Sequence, residues 1–186
     1  MNAFAKIDPD TFFRFAAAHP EHRYELERGR IVQQMTGGTL GHGLVARRIL
    51  RQIENQIDAN RWLILQERGV KIGSSARYPD VVVEPVGESG DSLSTTCPAI
   101  IVEVLSPSTT ATDLNTKPGE YLAITTLGAY IVASQDEAAM LVWLRDKNGI
   151  FPAAGVEVEG TGQTITVNGR GSNFTLKLDD IYEGIA

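Results

Sequence analysis

Two short runs of β-branched residues constrain the fold of this chain more than any other feature. The first covers residues 78–84 and places Asp80 directly before three valines, and the second covers residues 99–105 with Glu103 in its middle. Neither run alternates cleanly between apolar and polar residues, which is typical of strands buried on both faces of a sheet. We therefore predict an α/β fold in which two core strands each carry a carboxylate.

The composition fits one globular domain. The 186 residues are 42% hydrophobic and 22% charged, and a chain of this length buries enough apolar surface to fold without staples. It contains neither a repeat nor a linker long enough to divide it. We predict a single domain over residues 1–186.

Cysteine usage and charge bear on compartment and partners. Cys97 is the only cysteine, which excludes an internal disulfide and a CxxC motif and favours a reducing cytoplasm. The N-terminus lacks a signal-peptide pattern, and no apolar stretch is long enough to span a bilayer, so we expect no membrane contact. A net charge of -6 excludes a bulk polyanion binder, so contact with DNA would require a local basic patch and metal ions.

The other segments predict helices, strands and hairpins. Asp8-Pro9-Asp10 is typical of a helix start. Lys147-Asn148-Gly149 is the strongest hairpin signal, between strands expected at residues 140–145 and from Ile150 onward. Apolar spacing predicts helices near residues 43–57 and 119–127, and strands at residues 24–27, 30–35, 62–65, 69–72 and 130–133.

Glu103 is the residue that most needs an explanation. A strand buried on both faces would remove its carboxylate from water, which costs several kcal/mol even after relaxation. Glutamate is found buried when it is paired or binds a metal. The alternatives are exposure at a sheet edge or a structural salt bridge.

Asp80 would place a second carboxylate at the start of another buried strand. Two such groups repel each other unless a cation lies between them or one of them takes up a proton. A divalent ion such as Mg²⁺ resolves this conflict, since it is bound through one or two carboxylates and keeps several waters. Taken alone, an aspartate after a proline is also common in turns and at strand edges.

Further motifs accompany the two strands. They are Tyr24-Glu25-Leu26 with Gly29, residues 78–83, residues 101–109, Asp113, Lys117 and Tyr121. Together they resemble the Uma-two family of restriction-endonuclease-like proteins, within the PD-(D/E)XK nuclease superfamily, from about residue 10 to residue 145. The resemblance implies a restriction-endonuclease-like α/β core: a mixed central β-sheet flanked by helices, with additional β-hairpins.

The resemblance also implies catalytic roles. Asp80 and Glu103 would hold Mg²⁺ or Mn²⁺, with Glu25 as a further acidic residue of the metal site. The superfamily lysine follows the acidic residue by two positions, where this chain has Leu105. The family supplies that lysine from the next helix, and Lys117 falls on this position, where it would position or activate the attacking water.

Each remaining assignment has an alternative. His42, Arg47 and Arg51 are expected to contact the substrate, yet a helix-entry histidine without a role and solvated arginines are also common. Strand parity favours a solvent-exposed position for Glu25, opposite to the face of Leu26.

For Lys117 the alternative is an ordinary surface lysine. Pro118 disfavours a helical conformation at the preceding residue, so we expect Lys117 to be extended, before a helix that begins at Pro118. At that end of a helix the dipole would disfavour the charged form of the amine and help it act as a base.

The function that these assignments imply is metal-dependent hydrolysis of DNA phosphodiester bonds by a cytoplasmic endonuclease, with a homodimer as the assembly to test. The first rival is a catalytically degenerate nuclease fold that binds nucleic acid or a protein partner, since Leu105 breaks the plain motif. The second is a purely structural or interaction module, which the acidic net charge favours.

Overall fold

The computed structural model describes residues 6–34, 37–106, 110–169 and 171–185. Met35, at the end of the predicted 30–35 strand, and residues 107–109 of the family-like segment lie outside the described residues. The described elements are α1 (Pro9–Ala18), β1 (Arg23–Glu27), β2 (Arg30–Gln34), α2 (Leu40–Glu54), β3 (Trp62–Leu65), β4 (Gly69–Ile72), β5 (Ser75–Arg77), β6 (Val81–Pro85), β7 (Ser94–Thr95), β8 (Ile100–Val104), α3 (Thr110–Asn115), α4 (Lys117–Tyr121), β9 (Ala129–Ala133), β10 (Ala139–Leu144), β11 (Val156–Glu159), β12 (Thr164–Gly169), β13 (Ser172–Lys177) and α5 (Leu178–Tyr182).

The largest sheet among the described residues has six strands in the order β11-β10-β9-β8-β6-β3. β8 and β9 run parallel, and the other neighbours in this sheet run antiparallel. All residues of β8 and β9 are buried, as are the first four of β6. The predicted fold class, an α/β protein with a mixed sheet flanked by helices and with additional hairpins, is confirmed.

Both faces of this sheet are covered. Val81 and Val83 of β6 belong to one buried cluster with Ile49 of α2, the β12–β13 hairpin and α5. Val82, between them, belongs to a second cluster with Tyr121 of α4 and with residues of β8 and β9. Successive residues of a strand point to opposite faces, so two covered faces account for the uninterrupted run of valines.

A second sheet, in the order β2-β1-β5-β4-β7, packs against α1. The buried residues of this contact are Phe12, Phe13, Leu26 and Ala76. The predicted start of α1 is confirmed, because the Asp8 side chain accepts a hydrogen bond from the Thr11 N–H at 2.9 Å and Pro9 is the first helical residue.

The strand predicted from Ile150 onward begins later in the structure. β10 does pair with an antiparallel β11, but β11 starts at Val156. The Asp146 side chain accepts the backbone N–H groups of Asn148 and Ile150 at 2.9 and 2.8 Å. This side-chain turn replaces the tight two-residue hairpin, since aspartate can satisfy the backbone that a ladder would otherwise pair.

The helix predicted over residues 119–127 is also wrong in its bounds. α4 starts at Lys117 with Pro118 in its first turn and ends at Tyr121. A proline is tolerated there because N–H groups of the first turn have no intrahelical acceptor. Lys117 is therefore the first residue of the helix, and its predicted extended conformation is wrong. α2 is shifted toward the N-terminus relative to the predicted residues 43–57.

Within the described part of the chain, no helix combines the length and the apolarity required to cross a bilayer. The division of residues 1–186 as one domain remains a prediction.

Candidate active site

The pairing of β6 with β8 brings Asp80 beside Glu103. Val81 is the partner of Val102 in this antiparallel register. Asp80, which precedes Val81, therefore lies opposite Glu103, which follows Val102. Side chains of opposed residues in an antiparallel pair project to the same face. The Val104 N–H donates a hydrogen bond to Asp80 Oδ2 at 2.7 Å, which holds that carboxylate at the start of β6.

Two donors from α4 converge on the buried carboxylate of Glu103. Lys117 Nζ and the Tyr121 hydroxyl each donate to Glu103 Oε1 at 2.8 Å. Lys117 Nζ also lies 2.7 Å from Oδ1 of the buried Asp113, one helical turn earlier. Only 4% of Lys117 is exposed, so its interpretation as an ordinary surface lysine is wrong.

Glu25 faces the same interior from the second sheet. Its Oε2 accepts hydrogen bonds from Arg77 Nη1 at 2.9 Å and from Gln34 Nε2 at 3.1 Å, and its Oε1 lies 3.8 Å from Lys117 Nζ. The solvent-exposed position favoured by strand parity is wrong, because β1 is covered on both sides: Leu26 packs in the α1 cluster, and Glu25 is 6% exposed.

Arg77 is the main cation behind Glu25. Its side chain is 1% exposed. Its Nε donates a hydrogen bond to Glu120 Oε2 at 2.8 Å, and its Nη1 donates to Glu25 Oε2. Glu120 in turn accepts from the Ser75 hydroxyl at 2.8 Å. This network links β1 and β5 of the second sheet to α4, the helix that carries Lys117.

The surroundings raise the pKa values of both Glu103 and Lys117. Burial raises the pKa of Glu103 to about 8, against the opposing effect of the charge on Lys117. Burial lowers the pKa of Lys117, but the carboxylates of Glu103, Glu25 and Asp113 outweigh it and hold that pKa above its ordinary value. The lowered pKa predicted from the helix dipole is wrong, because carboxylates within 3.8 Å dominate the five-residue α4.

His42 lies in the first turn of α2, where Thr39 caps the helix by accepting the His42 N–H at 3.1 Å. Its Nε2 lies 3.4 Å from Asp80 Oδ2. The hydrogen bond with Asp80 raises the pKa of His42, while partial burial opposes that shift. His42 Nε2 and the backbone N–H of Val104 in β8 thus lie at the same oxygen, Oδ2, of Asp80.

The two other predicted substrate contacts lie elsewhere. Arg47 and Arg51 are exposed on α2 and are not among the residues that line the cavity described below. Arg48, between them, donates to the carbonyls of Ile181 and Glu183 at 2.9 and 2.7 Å and fastens α2 to α5. Contact of Arg47 and Arg51 with a substrate remains a prediction.

Glu25, His42, Asp80, Glu103 and Lys117 border one cavity of about 610 Å³. Its acidic part includes Glu25, Asp80 and Glu103, with Lys117 and His42 beside them. The rest of its lining includes aromatic side chains of α1, β1 and the segment before β6. A concave site with a few convergent polar groups is the usual form of a ligand or active site.

The donor set fits a hard divalent cation. The protein holds Asp80 through Oδ2 and Glu103 through Oε1, so both carboxylates have fixed positions at the cavity. Two such carboxylates match Mg²⁺, which takes one or two protein carboxylates and keeps waters. No group of three His, Cys, Asp or Glu side chains in residues 6–34, 37–106, 110–169 and 171–185 is arranged to hold a metal.

The mixed α/β fold with paired carboxylates at one cavity defines a restriction-endonuclease-like protein. Residues 9–178 match the Uma2 family, which is described as "Putative restriction endonuclease". This chain belongs to that family. The predicted resemblance is thereby confirmed.

A solved structure supports the same fold. The chain is similar to the crystal structure of "a putative nuclease belonging to DUF820" from Anabaena variabilis, with a TM-score of 0.72 and 15% sequence identity. The similarity covers 89% of this chain and 93% of the other. No curated protein matches this chain.

Proposed function

We propose that this protein hydrolyses phosphodiester bonds in DNA as an endonuclease that depends on Mg²⁺ or Mn²⁺. Membership of the family and the nuclease fold support a nuclease function in general. The observation that carries the finer proposal is the opposition of Asp80 and Glu103 at one cavity, with the Lys117 ammonium 2.8 Å from Glu103. DNA as the partner and a homodimeric assembly remain predictions.

Asp80 and Glu103 would hold the metal ion. Their positions are preset, because a backbone N–H of β8 fixes Asp80 and two donors of α4 fix Glu103. A divalent cation bound there supplies charge neutralisation for a phosphodiester and acidifies a coordinated water. Glu25 is a weaker candidate ligand, since Arg77 and Gln34 hold its Oε2 and the Lys117 ammonium lies 3.8 Å from its Oε1.

Lys117 would act as a fixed positive charge. Its raised pKa keeps the amine protonated near neutral pH, so it orients water and stabilises charge on the phosphate rather than removing a proton. Three carboxylates hold the ammonium in place, and such preorganised charge is an effective source of catalysis. The sequence leaves two roles open for this lysine, positioning or activating the attacking water, and the role that we propose is positioning.

A cleavage assay tests this proposal. The wild-type protein is expected to cut supercoiled plasmid, linear duplex or circular single-stranded DNA in Mg²⁺ or Mn²⁺ and to stop when EDTA is added. Asp80→Asn removes one charged ligand without a change in size, so cleavage should fall to the background level.

The matched control is Asp58→Asn, an exposed aspartate that caps a turn by accepting the Asn60 N–H at 2.9 Å. It should cleave like the wild type. Cleavage that persists in Asp80→Asn would contradict the metal-site assignment. A wild-type protein that binds DNA but cuts none of the three substrates would favour the degenerate binding module.

A further inference from the structure

Three aromatic rings line the cavity beside its acidic residues. They belong to Phe13 of α1, Tyr24 of β1 and Tyr78, two residues before Asp80. We call these three residues the aromatic wall. The hydrolysis of a phosphodiester needs the carboxylates and the lysine, but it gives no role to these rings.

The aromatic wall is held by packing against α1. The rings of Phe13 and Tyr78 meet edge to face at 5.8 Å between centroids, and Phe12 lies 6.4 Å from Tyr78. Phe15 supports Tyr24 in the same way at 5.2 Å. Tyr24 and Tyr78 stay partly exposed whereas Phe13 is buried, so two rings with fixed positions border the cavity and lose little freedom when a ligand stacks on them.

The reacting groups are recessed. Only 4% of Glu103 and 4% of Lys117 are exposed, so a phosphodiester must enter the cavity to reach them. A paired duplex presents sugars and phosphates outward and keeps its base faces stacked inside, so aromatic rings around such a site would meet no base. An unpaired strand exposes its bases, which stack on aromatic side chains irrespective of their sequence.

We propose that Tyr24 and Tyr78 of the aromatic wall stack the bases of unpaired DNA, so that the substrate class is single-stranded or locally unpaired DNA. This inference rests on the proposed nuclease function and deepens it. Pro79 joins Tyr78 to Asp80 through a residue whose backbone φ angle is fixed. A base on Tyr78 therefore belongs to a nucleotide close to the phosphate at Asp80.

Binding without turnover tests this inference. Fluorescence anisotropy with Ca²⁺ in place of Mg²⁺ compares a labelled oligo-dT with a blunt-ended DNA duplex of the same length. The wild type is expected to bind oligo-dT about 10-fold tighter or more, the scale of losing a single stacked base. Tyr24→Leu and Tyr78→Leu should each weaken oligo-dT binding by about 5- to 100-fold.

Two kinds of control separate stacking from structure. Tyr24→Phe and Tyr78→Phe keep the rings and should bind like the wild type. If a leucine variant does not fold, the phenylalanine variant at that position still tests whether the ring suffices for binding. Phe151→Leu removes a half-buried ring that packs against Arg145 and does not line the cavity, and its oligo-dT affinity should be unchanged.

The outcomes distinguish this inference from the nuclease proposal. Equal affinity for the duplex, folded leucine variants that bind like the wild type, or phenylalanine variants that bind as weakly as the leucine ones would overturn the stacking role. Cleavage that depends on Asp80 alongside such results would leave the nuclease proposal intact. Ring-dependent binding of oligo-dT without any metal-dependent cleavage would support the stacking inference and reject the nuclease proposal.

Discussion

Replacing Lys117 with methionine is expected to lower turnover by about 10²–10³-fold, the loss seen when one preorganised charge-stabilising donor is removed. Affinity for Mn²⁺ should be retained or rise, because the change removes no ligand and frees Glu103 Oε1 from its ion pair. Single-turnover cleavage and calorimetric titration with Mn²⁺ measure the two effects separately.

The same substitution has a structural cost. Glu103, Asp113 and Glu25 would lose the cation between them, and breaking a buried ion pair on one side destabilises by about 3–5 kcal/mol. Mn²⁺ should therefore raise the melting temperature of Lys117→Met more than that of the wild type.

A surface lysine provides the control for both measurements. Lys71→Met breaks an ion pair with the exposed Asp10, which should change stability by about 1 kcal/mol or less and leave turnover unchanged. If Lys117→Met cleaves at the wild-type rate while Asp80→Asn is inactive, Lys117 has no part in the reaction.

Replacing Arg77 with methionine is expected to destabilise the protein by about 3–5 kcal/mol, because the buried Glu25 and the half-buried Glu120 would lose the guanidinium that pairs with both. The Glu25 and Glu120 side chains are 8% and 13% exposed, and Arg77 is 1% exposed. Such a loss is a large part of the stability of a typical domain. Urea unfolding followed by circular dichroism measures it.

The control for this prediction is Arg23→Met, which breaks an ion pair with Glu67 between side chains that are 42% and 60% exposed. Its effect should stay at about 1 kcal/mol or less. Adding Glu25→Gln and Glu120→Gln to Arg77→Met should recover part of the lost stability, because the unpaired charges are then absent. If Arg77→Met lowers the free energy of unfolding by less than about 1 kcal/mol, water solvates these carboxylates well enough that they do not require Arg77.

That Asp80 and Glu103 lie on or beside buried strands could be predicted because it depends on local patterns. Uninterrupted β-branched runs identify strands buried on both faces, and a carboxylate within such a run has to be neutralised. These features need no knowledge of how distant elements pack. The mixed sheet flanked by helices and the placement of both carboxylates at one site were implied by the family resemblance.

The surroundings of Lys117 depended on packing that no local pattern reports. Strand parity separates Glu25 from Leu26, but it does not show that α1 covers one side of β1 and the cavity lies on the other. β5 is only three residues long, so the strand that carries Arg77 left no periodic signal. The spacing of Asp113, Lys117 and Tyr121, four residues apart, was the one local sign of a shared helical face.

The turn after β10 failed for a different reason. Asn148-Gly149 is a strong signal for a two-residue hairpin, but Asp146 competes for the same backbone N–H groups and forms a wider loop. Two local preferences were therefore in conflict, and β11 pairs with β10 only from Val156 onward.

A crystal structure with bound Mn²⁺, located by its anomalous signal, tests whether Asp80 and Glu103 form a metal site. We expect one ion at the cavity within about 2.5 Å of an oxygen of both Asp80 and Glu103, and no ion there in crystals of Asp80→Asn. The metal-site assignment would be contradicted by an ion bound elsewhere. It would also be contradicted by a cavity that holds no ion at saturating Mn²⁺ and keeps the ion pair between Lys117 and Glu103.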